Sequence, residues 1–371
     1  MTQYDVLTLM RKILKYMDIV LLSILLAGAL VFRYVPGTGE FYARALYPVI
    51  SAALSAVASV FPFSLDEWTV VLMAAGLVLW PVLERKRGKS WKRIVLREIE
   101  WILWIYVWFY WGWGMNYYRD SVYERAGVRP AAYDRDVFKH FLYAYSDSLD
   151  SAFCAARENN PSAFVGTSAA GGPGMHVGQI QEEIKGIYRH VPENYGLSRP
   201  YGYQRPKFTC FNFLYSGVGV LGYMGPFFAE SHLNRELPEM QYPFTYAHEL
   251  SHLLGISSEA EANFWAFNVC IRSSRPEVRY SGYAGILPYV ISNARALLER
   301  QEYLDWISSV DPAVIDMLRS EQEYWRSRYS PAVGRIQDAL YTFYLKGNRI
   351  PSGQKNYAEV VSVLLSLSPD F

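Results

Sequence analysis

The segment 245–263 holds the residues of this chain that are best suited to chemistry. It contains the pattern His248-Glu249-x-x-His252 inside an apolar run that predicts a helix, and residues four apart lie on one face of a helix. The two imidazoles can therefore bind one metal ion. Zinc suits neutral histidine ligands and leaves a coordination position to water. Glu249 is placed to take the proton of that water and to pass it to a leaving amine.

The residues that follow predict a third ligand. Gly255 can adopt the left-handed conformation that ends a helix and reverses the chain. A second helix then begins at Ser258, which forms an S-x-x-E capping box with Glu261. This leaves Glu259 free to face the metal as the third ligand, with Glu261 as the alternative. Asn263 lies four residues after Glu259, where it can hydrogen-bond the outer nitrogen of a ligating histidine.

The simpler interpretation of this segment is a helix that carries two surface histidines and a glutamate. A chance H-E-x-x-H is expected in roughly one such chain in two hundred. The glycine stop and the acidic second helix argue against chance, because chance does not supply them together.

The same residues carry a resemblance to a known group of enzymes. The segment His248–His252, followed by Glu259-Ala260-Glu261-Ala262-Asn263, resembles the gluzincin-type zinc metallopeptidases, whose second motif often reads E-x-E-A-(D/N)-x-x-A. In those families the first glutamate of that motif is the third zinc ligand, and here that glutamate is Glu259. The interval between His252 and Glu259 is much shorter than in many gluzincins.

A wider pattern is similar to an uncharacterised bacterial membrane-protein family, domain of unknown function 3810. It spans nearly the whole chain and is carried by the zinc segment together with Pro62–Leu65, Trp113–Arg119, Gly222–Phe227 and Asn356–Tyr357. This resemblance implies a membrane-anchored zinc peptidase, and it implies no substrate.

The composition is that of a membrane-attached globular protein. The 371 residues are 51% hydrophobic, 16% aromatic and 19% charged, with a net charge of +1. There is no basic excess to suggest nucleic acid as a partner. The length allows a membrane region, predicted at 1–119, and one substantial domain at 120–371.

Three apolar runs predict transmembrane helices, at 16–35, 68–83 and 94–115. Basic residues cluster before the first run and between positions 85 and 93, and both clusters are expected on the cytoplasmic side. The chain after Arg119 then lies outside. The sequence therefore predicts a multi-pass protein of the inner cell membrane with an extracytoplasmic catalytic domain.

The stretch 41–61 is also long and apolar. Counting it as a spanning helix would place the strongly basic loop outside the cell. We therefore expect an interfacial or re-entrant segment that contacts the outer face of the lipid bilayer.

The fold class predicted for the second domain is mainly α with a small β-sheet (α+β), of zincin-like type. Apolar spacing predicts helices at 136–158, 179–191, 263–271, 284–303, 312–327, 332–344 and 357–366. Glycine-rich segment 208–228 favours strand, tight turn and strand. Because an extended peptide can pair with an exposed strand, residues 215–234 are the predicted substrate-binding edge.

A zinc peptidase usually also needs a donor for the oxyanion of its tetrahedral intermediate. Tyr280, Tyr283 and His232 are the candidates for this donor or for substrate contact, although 30 tyrosines give little basis for choice. His232 and the neighbouring Glu230 are more simply interpreted as residues of a solvated loop.

The remaining histidines and the cysteines suggest no second site. His140, His176 and His190 have no partner at ligand spacing and are expected at the surface. The three cysteines, Cys154, Cys210 and Cys270, have no metal-like spacing and are expected to be buried thiols.

The sequence thus predicts a membrane-anchored zinc endopeptidase that hydrolyses a peptide or protein substrate. Zinc would be held by His248, His252 and Glu259, with Glu249 as the base. The alternative is a non-catalytic zinc-binding membrane protein that acts in binding or assembly at the cell envelope. A second alternative is an intramembrane protease, in which the motif should lie in an apolar span of bilayer length. The sequence leaves the substrate and the oligomeric state open.

Overall fold

The computed structural model describes residues 3–164, 176–331, 333–335 and 359–367. Within these ranges the chain is mainly helical with one small three-stranded sheet, which confirms the prediction of a mainly α fold with a small β-sheet. Most of the predicted helix 332–344 lies outside the described residues.

Four long helical segments form the N-terminal region. They are α1 (Gln3–Tyr34), α2 (Thr38–Ser59, with a π-helical stretch at Tyr42–Leu46), α3 (Leu65–Lys86) and α4 (Trp91–Gly112). Helix α1 packs against α4, where the Trp111 indole N–H donates to the Leu25 carbonyl over 3.1 Å.

Three of these segments are long and apolar enough to cross a membrane: Ile13–Tyr34, Thr38–Ser59 and Leu65–Lys86. The predicted spans 16–35 and 68–83 fall on the first and last of them. The third predicted span, 94–115, falls on α4, which has 22 residues but is not among the three because tryptophans, tyrosines and charged side chains lower its hydropathy. Segment 41–61 instead belongs to a helix that qualifies, and its interfacial placement stays a prediction.

Helix α2 packs along its length on the domain that follows. Near its start the Arg44 guanidinium donates to the carbonyls of Glu193 and Asn194. Near its end the Gln204 amide donates to the Ser55 hydroxyl, and the Lys207 ammonium donates to the Ala58 carbonyl. The N-terminal helices and the rest of the described chain are therefore in direct contact through this helix.

The second half of the chain is built mostly from helices. A 3₁₀ turn at Gly114–Tyr118 leads to α5 (Val122–Ala126), α6 (Arg135–Asn159), α7 (Val177–Tyr188), α8 (Asn212–Ser216), α9 (Tyr242–Leu253), α10 (Glu259–Ile271), α11 (Pro276–Leu297), α12 (Arg300–Ser309), α13 (Pro312–Arg328) and α14 (Val360–Ser366). Shorter 3₁₀ turns lie at Pro161–Phe164, Glu193–Tyr195 and Glu239–Gln241. Helix α10 lies at the centre and buries every residue from Ala260 to Cys270.

One predicted helix is divided in the structure. The range 284–303 covers the end of α11 and the start of α12, because Glu299 begins a new helix through a reciprocal capping box with Glu302. The apolar spacing continues across the break and therefore does not reveal this cap.

The sheet has the strand order β1 (Lys207–Phe208), β3 (Glu230–Leu233), β2 (Gly222–Gly225). Strand β3 runs parallel to β1 and antiparallel to β2, with Tyr223 opposite His232. The predicted strand, turn and strand over 208–228 is therefore only partly right. Helix α8 lies inside that range, and the strand that pairs with β2 follows it. Strand β2 lies at the edge of the sheet.

Candidate metal centre

The two histidines of the motif lie on α9, and their position depends on how that helix ends. Gly255 adopts a φ of +98°, and its amide donates to the His252 carbonyl over 3.0 Å, so the chain reverses within one turn. Ser258 then begins α10 by accepting a hydrogen bond from the backbone amide of Glu261. This turn brings the first residue of α10, Glu259, back to the histidines.

The structure brings His248, His252 and Glu259 together into a group that could hold a metal ion. The two Nε2 atoms lie 3.1 Å apart, and Glu259 Oε2 lies 3.2 Å from Nε2 of His248 and 3.7 Å from that of His252. Ligand atoms around a tetrahedral zinc ion, at bond lengths of 2.0–2.1 Å, lie about 3.3 Å apart. The three donor atoms, named here the metal cluster, thus form a face of the right size.

The Nδ1 atoms of both histidine rings already form hydrogen bonds within the protein. His252 Nδ1 donates to the Ile256 carbonyl over 2.7 Å, and His248 Nδ1 donates to Asn263 Oδ1 over 2.9 Å. In the neutral rings, both Nε2 atoms therefore carry lone pairs that point into the same small space. A cation between them relieves this repulsion, so the donor set fits a metal ion.

The charges of the cluster are strongly coupled. Burial acts to lower the pKa of His252, but the Glu259 carboxylate outweighs burial and raises that pKa to about 9. Burial likewise acts to raise the pKa of Glu259, and the two histidines hold it well below its usual range. A positive charge is therefore favoured at this point of the protein, whether it is carried by a proton or by a metal ion.

Glu249 lies beside the cluster in a closely fitted pocket. It is 5% exposed, and its Oε2 is buried with no hydrogen-bond partner in the described structure. Gly222 of β2 packs on it so closely that a β-carbon there would lie 2.8 Å from Glu249 Cγ. Burial raises the pKa of Glu249 to about 7, against the opposing effect of the neighbouring histidines. A carboxylate held in this way is available to a water or a substrate at the cluster.

The alternative ligand, Glu261, points elsewhere. Its carboxylate pairs with the buried Arg125 guanidinium and accepts the Trp265 indole N–H over 3.0 Å. Only one half of the predicted capping box with Ser258 is present, because the Glu261 carboxylate is used by Arg125 instead.

The candidates for the oxyanion donor do not assemble around the metal cluster. The Tyr280 ring packs between Phe153 and Phe164 in the helical core. Tyr283 packs on Phe267, and its carbonyl accepts the Tyr145 hydroxyl.

The prediction that Glu230 and His232 lie in a solvated loop is wrong. Both are buried in β3, with His232 fully enclosed. The Lys207 ammonium pairs with the Glu230 carboxylate, and His232 Nε2 lies 2.7 Å from the Ser64 hydroxyl. These contacts make the burial of both residues tolerable.

Surface histidines and thiols follow the sequence expectations only in part. His140, His176 and His190 are exposed as predicted. All three cysteines are free, but only Cys270 is buried, whereas Cys154 and Cys210 are exposed. Cys154 lies on the outer face of α6, next to the buried Phe153. The apolar spacing of that helix could have indicated this exposure.

Tyr289 on α11 is a site residue that the sequence did not indicate. Burial and the nearby Glu259 carboxylate raise its pKa to about 12, against a hydrogen bond with Asn263. Its hydroxyl is therefore a neutral donor beside the metal cluster. Nothing in the sequence distinguishes Tyr289 from the other tyrosines, because its approach depends on how α11 packs on α10.

A cleft of 510 Å³ opens beside the cluster. Its wall includes Tyr289, Leu221 just before β2, and Phe244 and Thr245 on α9. The Phe244 ring centroid lies 6.4 Å from that of His248. The cleft and the metal cluster are therefore separated by little more than the Phe244 side chain.

The opposite end of α9 is held by residues from the membrane region. The Trp113 indole N–H donates to the His252 carbonyl over 3.0 Å, and the Tyr47 hydroxyl donates to the Leu253 carbonyl over 2.8 Å. Arg119 donates to the Gly255 carbonyl over 2.8 Å. These bonds satisfy the carbonyls at the helix end and fix the second histidine relative to the N-terminal helices.

The fold and the site together define a class of protein: a mainly helical chain with helices able to span a membrane and a His-His-Glu cluster on two consecutive helices. The chain belongs to the family described as protein of unknown function DUF3810, whose model matches residues 42–365. No curated protein and no solved structure matches the chain.

Proposed function

We propose that this protein is a membrane-anchored zinc-dependent endopeptidase whose catalytic domain lies on the extracytoplasmic side of the inner cell membrane. The observation that carries the proposal is the convergence of three ligand atoms next to the unpartnered buried oxygen of Glu249. A closed structural zinc site has four protein ligands and no use for a base beside an open position.

Zinc held by His248, His252 and Glu259 would lower the pKa of a water molecule and polarise the peptide carbonyl. Glu249 accepts the proton of the attacking water and delivers it to the leaving amine. Asn263 and the Ile256 carbonyl accept from the two Nδ1 atoms and leave both Nε2 atoms free of protons, which is the tautomer that ligation would require.

Tyr289 is our candidate for the oxyanion donor in place of Tyr280, Tyr283 and His232. Its pKa of about 12 keeps the hydroxyl protonated, as a donor to a developing negative charge must be. It also lines the cleft and lies near Glu259, which supports a role beside the metal cluster.

The edge strand β2 supports the predicted mode of substrate binding. Its Gly222 touches Glu249, so a peptide paired with this edge would pass the metal cluster. The 12-residue helix α9 is too short to cross a bilayer, which needs about 20 residues. This length argues against an intramembrane protease.

The test compares new protein N-termini in membranes and periplasm from cells that carry the wild type or Glu249→Gln. The variant keeps the three ligands and loses the base, so we expect activity to fall by about 100-fold or more. Termini found only with the wild type would establish the peptidase and identify its substrates.

The first control is the zinc content of both purified proteins. The second is Glu323→Gln, the same change at an exposed position of α13, which should give the wild-type set of termini. Identical sets of termini, with zinc bound in both proteins, would contradict the proposal. They would favour the alternative of a non-catalytic zinc-binding protein at the cell envelope.

A further inference from the structure

The floor of the cleft carries a carboxylate that the metal cluster does not use. Glu321 on α13 lines the cleft and is 8% exposed. Its Oε2 accepts a hydrogen bond from the Gln241 side-chain nitrogen over 3.1 Å. The orientation of that amide is fixed, because Gln241 Oε1 accepts the Trp325 indole N–H over 2.9 Å.

No cation of the described chain neutralises this carboxylate. The ion pairs formed by the described residues do not include Glu321. Glu67 and Glu239 are likewise buried without an ion pair among the described residues, but only Glu321 of these three lines the cleft. Arg326 also lines the cleft, but it is exposed to solvent. A buried carboxylate without a cation is unfavourable for folding, and burial raises the pKa of Glu321 to about 7. Such a group is more easily explained if a ligand supplies the positive charge.

The rest of the cleft is suited to an aliphatic chain. Apolar side chains form most of its wall, among them Leu221, Met240, Phe244, Pro288 and Leu318. Lysine and arginine bury their methylene stems against such surfaces while the charged end reaches a polar partner. A carboxylate at the floor of an apolar cleft thus matches the shape and the charge of a basic side chain.

Two residues of the cleft wall are also neighbours of the metal cluster. Thr245 lies three residues before His248 on α9, and Tyr289 is near Glu259. The cleft and the proposed reaction centre therefore share the wall formed by α9 and α11.

We propose that this cleft is the specificity site of the peptidase and that it accepts a lysine or arginine side chain of the substrate, whose cation pairs with Glu321. The inference rests on the proposed function for its biological meaning, but binding in the cleft can be measured without cleavage.

The experiment uses full-length, zinc-loaded Glu249→Gln protein in lipid nanodiscs, immobilised and exposed to a pool of random peptides. Retained peptides are sequenced by mass spectrometry. We expect lysine and arginine to be enriched at one position by about tenfold, because a charge-assisted hydrogen bond in a buried site discriminates by at least that factor.

Three second-site variants in the same background separate charge from shape. Glu321→Gln should lose the enrichment, Glu321→Asp should keep a preference for basic residues, and the exposed Glu323→Gln should behave like the parent. Zinc content and gel-filtration profile verify that each variant is folded. If Glu321→Gln does not fold, Glu321→Met removes the same charge with a side chain of similar volume, and it should likewise lose the enrichment.

Two results would overturn the inference: no basic residue enriched, including the case in which no peptide is retained, or enrichment that survives in Glu321→Gln. If wild-type cleavage depends on Glu249 and shows no basic preference, the proposed function stands and this inference fails. If Glu321-dependent binding occurs without any Glu249-dependent cleavage, the cleft binds basic peptides and the peptidase proposal fails.

Discussion

Two buried histidine–glutamate groups in this protein look alike in composition and differ in how their charge is balanced. In the metal cluster, His252 Nε2 lies 3.7 Å from Glu259 Oε2. In the sheet, His232 Nε2 lies the same 3.7 Å from Glu230 Oε2. The second group contains the ammonium of Lys207, which pairs with Glu230, and we name it the lysine cluster.

The titration of the two histidines reflects this difference. Burial and the Lys207 charge lower the pKa of His232 to about 3, so that ring is neutral. The pKa of His252 is raised to about 9 by Glu259, against the effect of burial. The lysine cluster has its cation within the chain, whereas the metal cluster includes no lysine or arginine. Its positive charge has to come from a proton or, as we propose, from a metal ion.

The largest loss of stability is expected when the lysine cluster loses its cation. Lys207→Met removes the cation and leaves Glu230 buried and unpaired, which should reduce the free energy of unfolding by about 3–5 kcal/mol. The same change frees the carbonyls of Ala58 and Phe63, which accept from the Lys207 ammonium over 2.8 Å. Thermal unfolding in detergent should shift downward by roughly 10 °C.

Lys139→Met is the matched control for that variant. Its ammonium also pairs with a glutamate, Glu302, but the Lys139 side chain is 37% exposed, and an ion pair at the surface contributes little to stability. Equal melting temperatures for both lysine variants would show that Lys207 is not the stabilising cation.

A smaller effect is expected when zinc is added to the metal cluster. Zinc at a thousandfold excess over its dissociation constant should stabilise the wild type by about 4 kcal/mol relative to protein treated with a chelator. His252→Ala should remove this increment, because two remaining ligands do not hold zinc in a three-ligand site. His190→Ala, at an exposed histidine, should keep it. Zinc-dependent melting curves measure both, and an increment retained in His252→Ala would separate zinc binding from this cluster.

Local features of the site could be predicted from the sequence because they depend on neighbours along one helix. The spacing of His248 and His252 and the turn at Gly255 all lie within eight residues. The cap at Ser258 also has a local signature, and together these features place Glu259 at the histidines. Residue types and spacing were sufficient for this part of the structure.

Features that depend on distant contacts could not be predicted in this way. The burial of Glu230 depends on Lys207 and on the Ser64 hydroxyl, 166 positions away along the chain. The use of Glu261 depends on Arg125, 136 positions upstream. Tyr289 reaches the site only through the packing of α11 on α10. In each case the partner is brought close by the fold and carries no local sequence signal.

Glu321 differs from the glutamates of both clusters, because its buried carboxylate has neither a lysine nor the metal cluster beside it. Burial raises its pKa from 4.5 to about 7, so the folded protein binds this proton more tightly than the unfolded chain does. The resulting stability is fully present below about pH 4.5 and is lost as the pH rises to about 7. The penalty at pH 8 is about 3 kcal/mol, since one pKa unit corresponds to about 1.4 kcal/mol.

Glu321→Gln removes this titration and keeps an oxygen that can accept from Gln241. We therefore expect the variant to melt at the same temperature as the wild type at pH 4.5 and several degrees higher at pH 8. Glu323→Gln, two residues further along α13 on its exposed side, should follow the wild type at both values. A stabilisation of Glu321→Gln that is equal at the two pH values would come from packing and not from charge. A gain that grows with pH would identify Glu321 as a carboxylate with no cation of its own, which is the condition that a basic side chain in the cleft would satisfy.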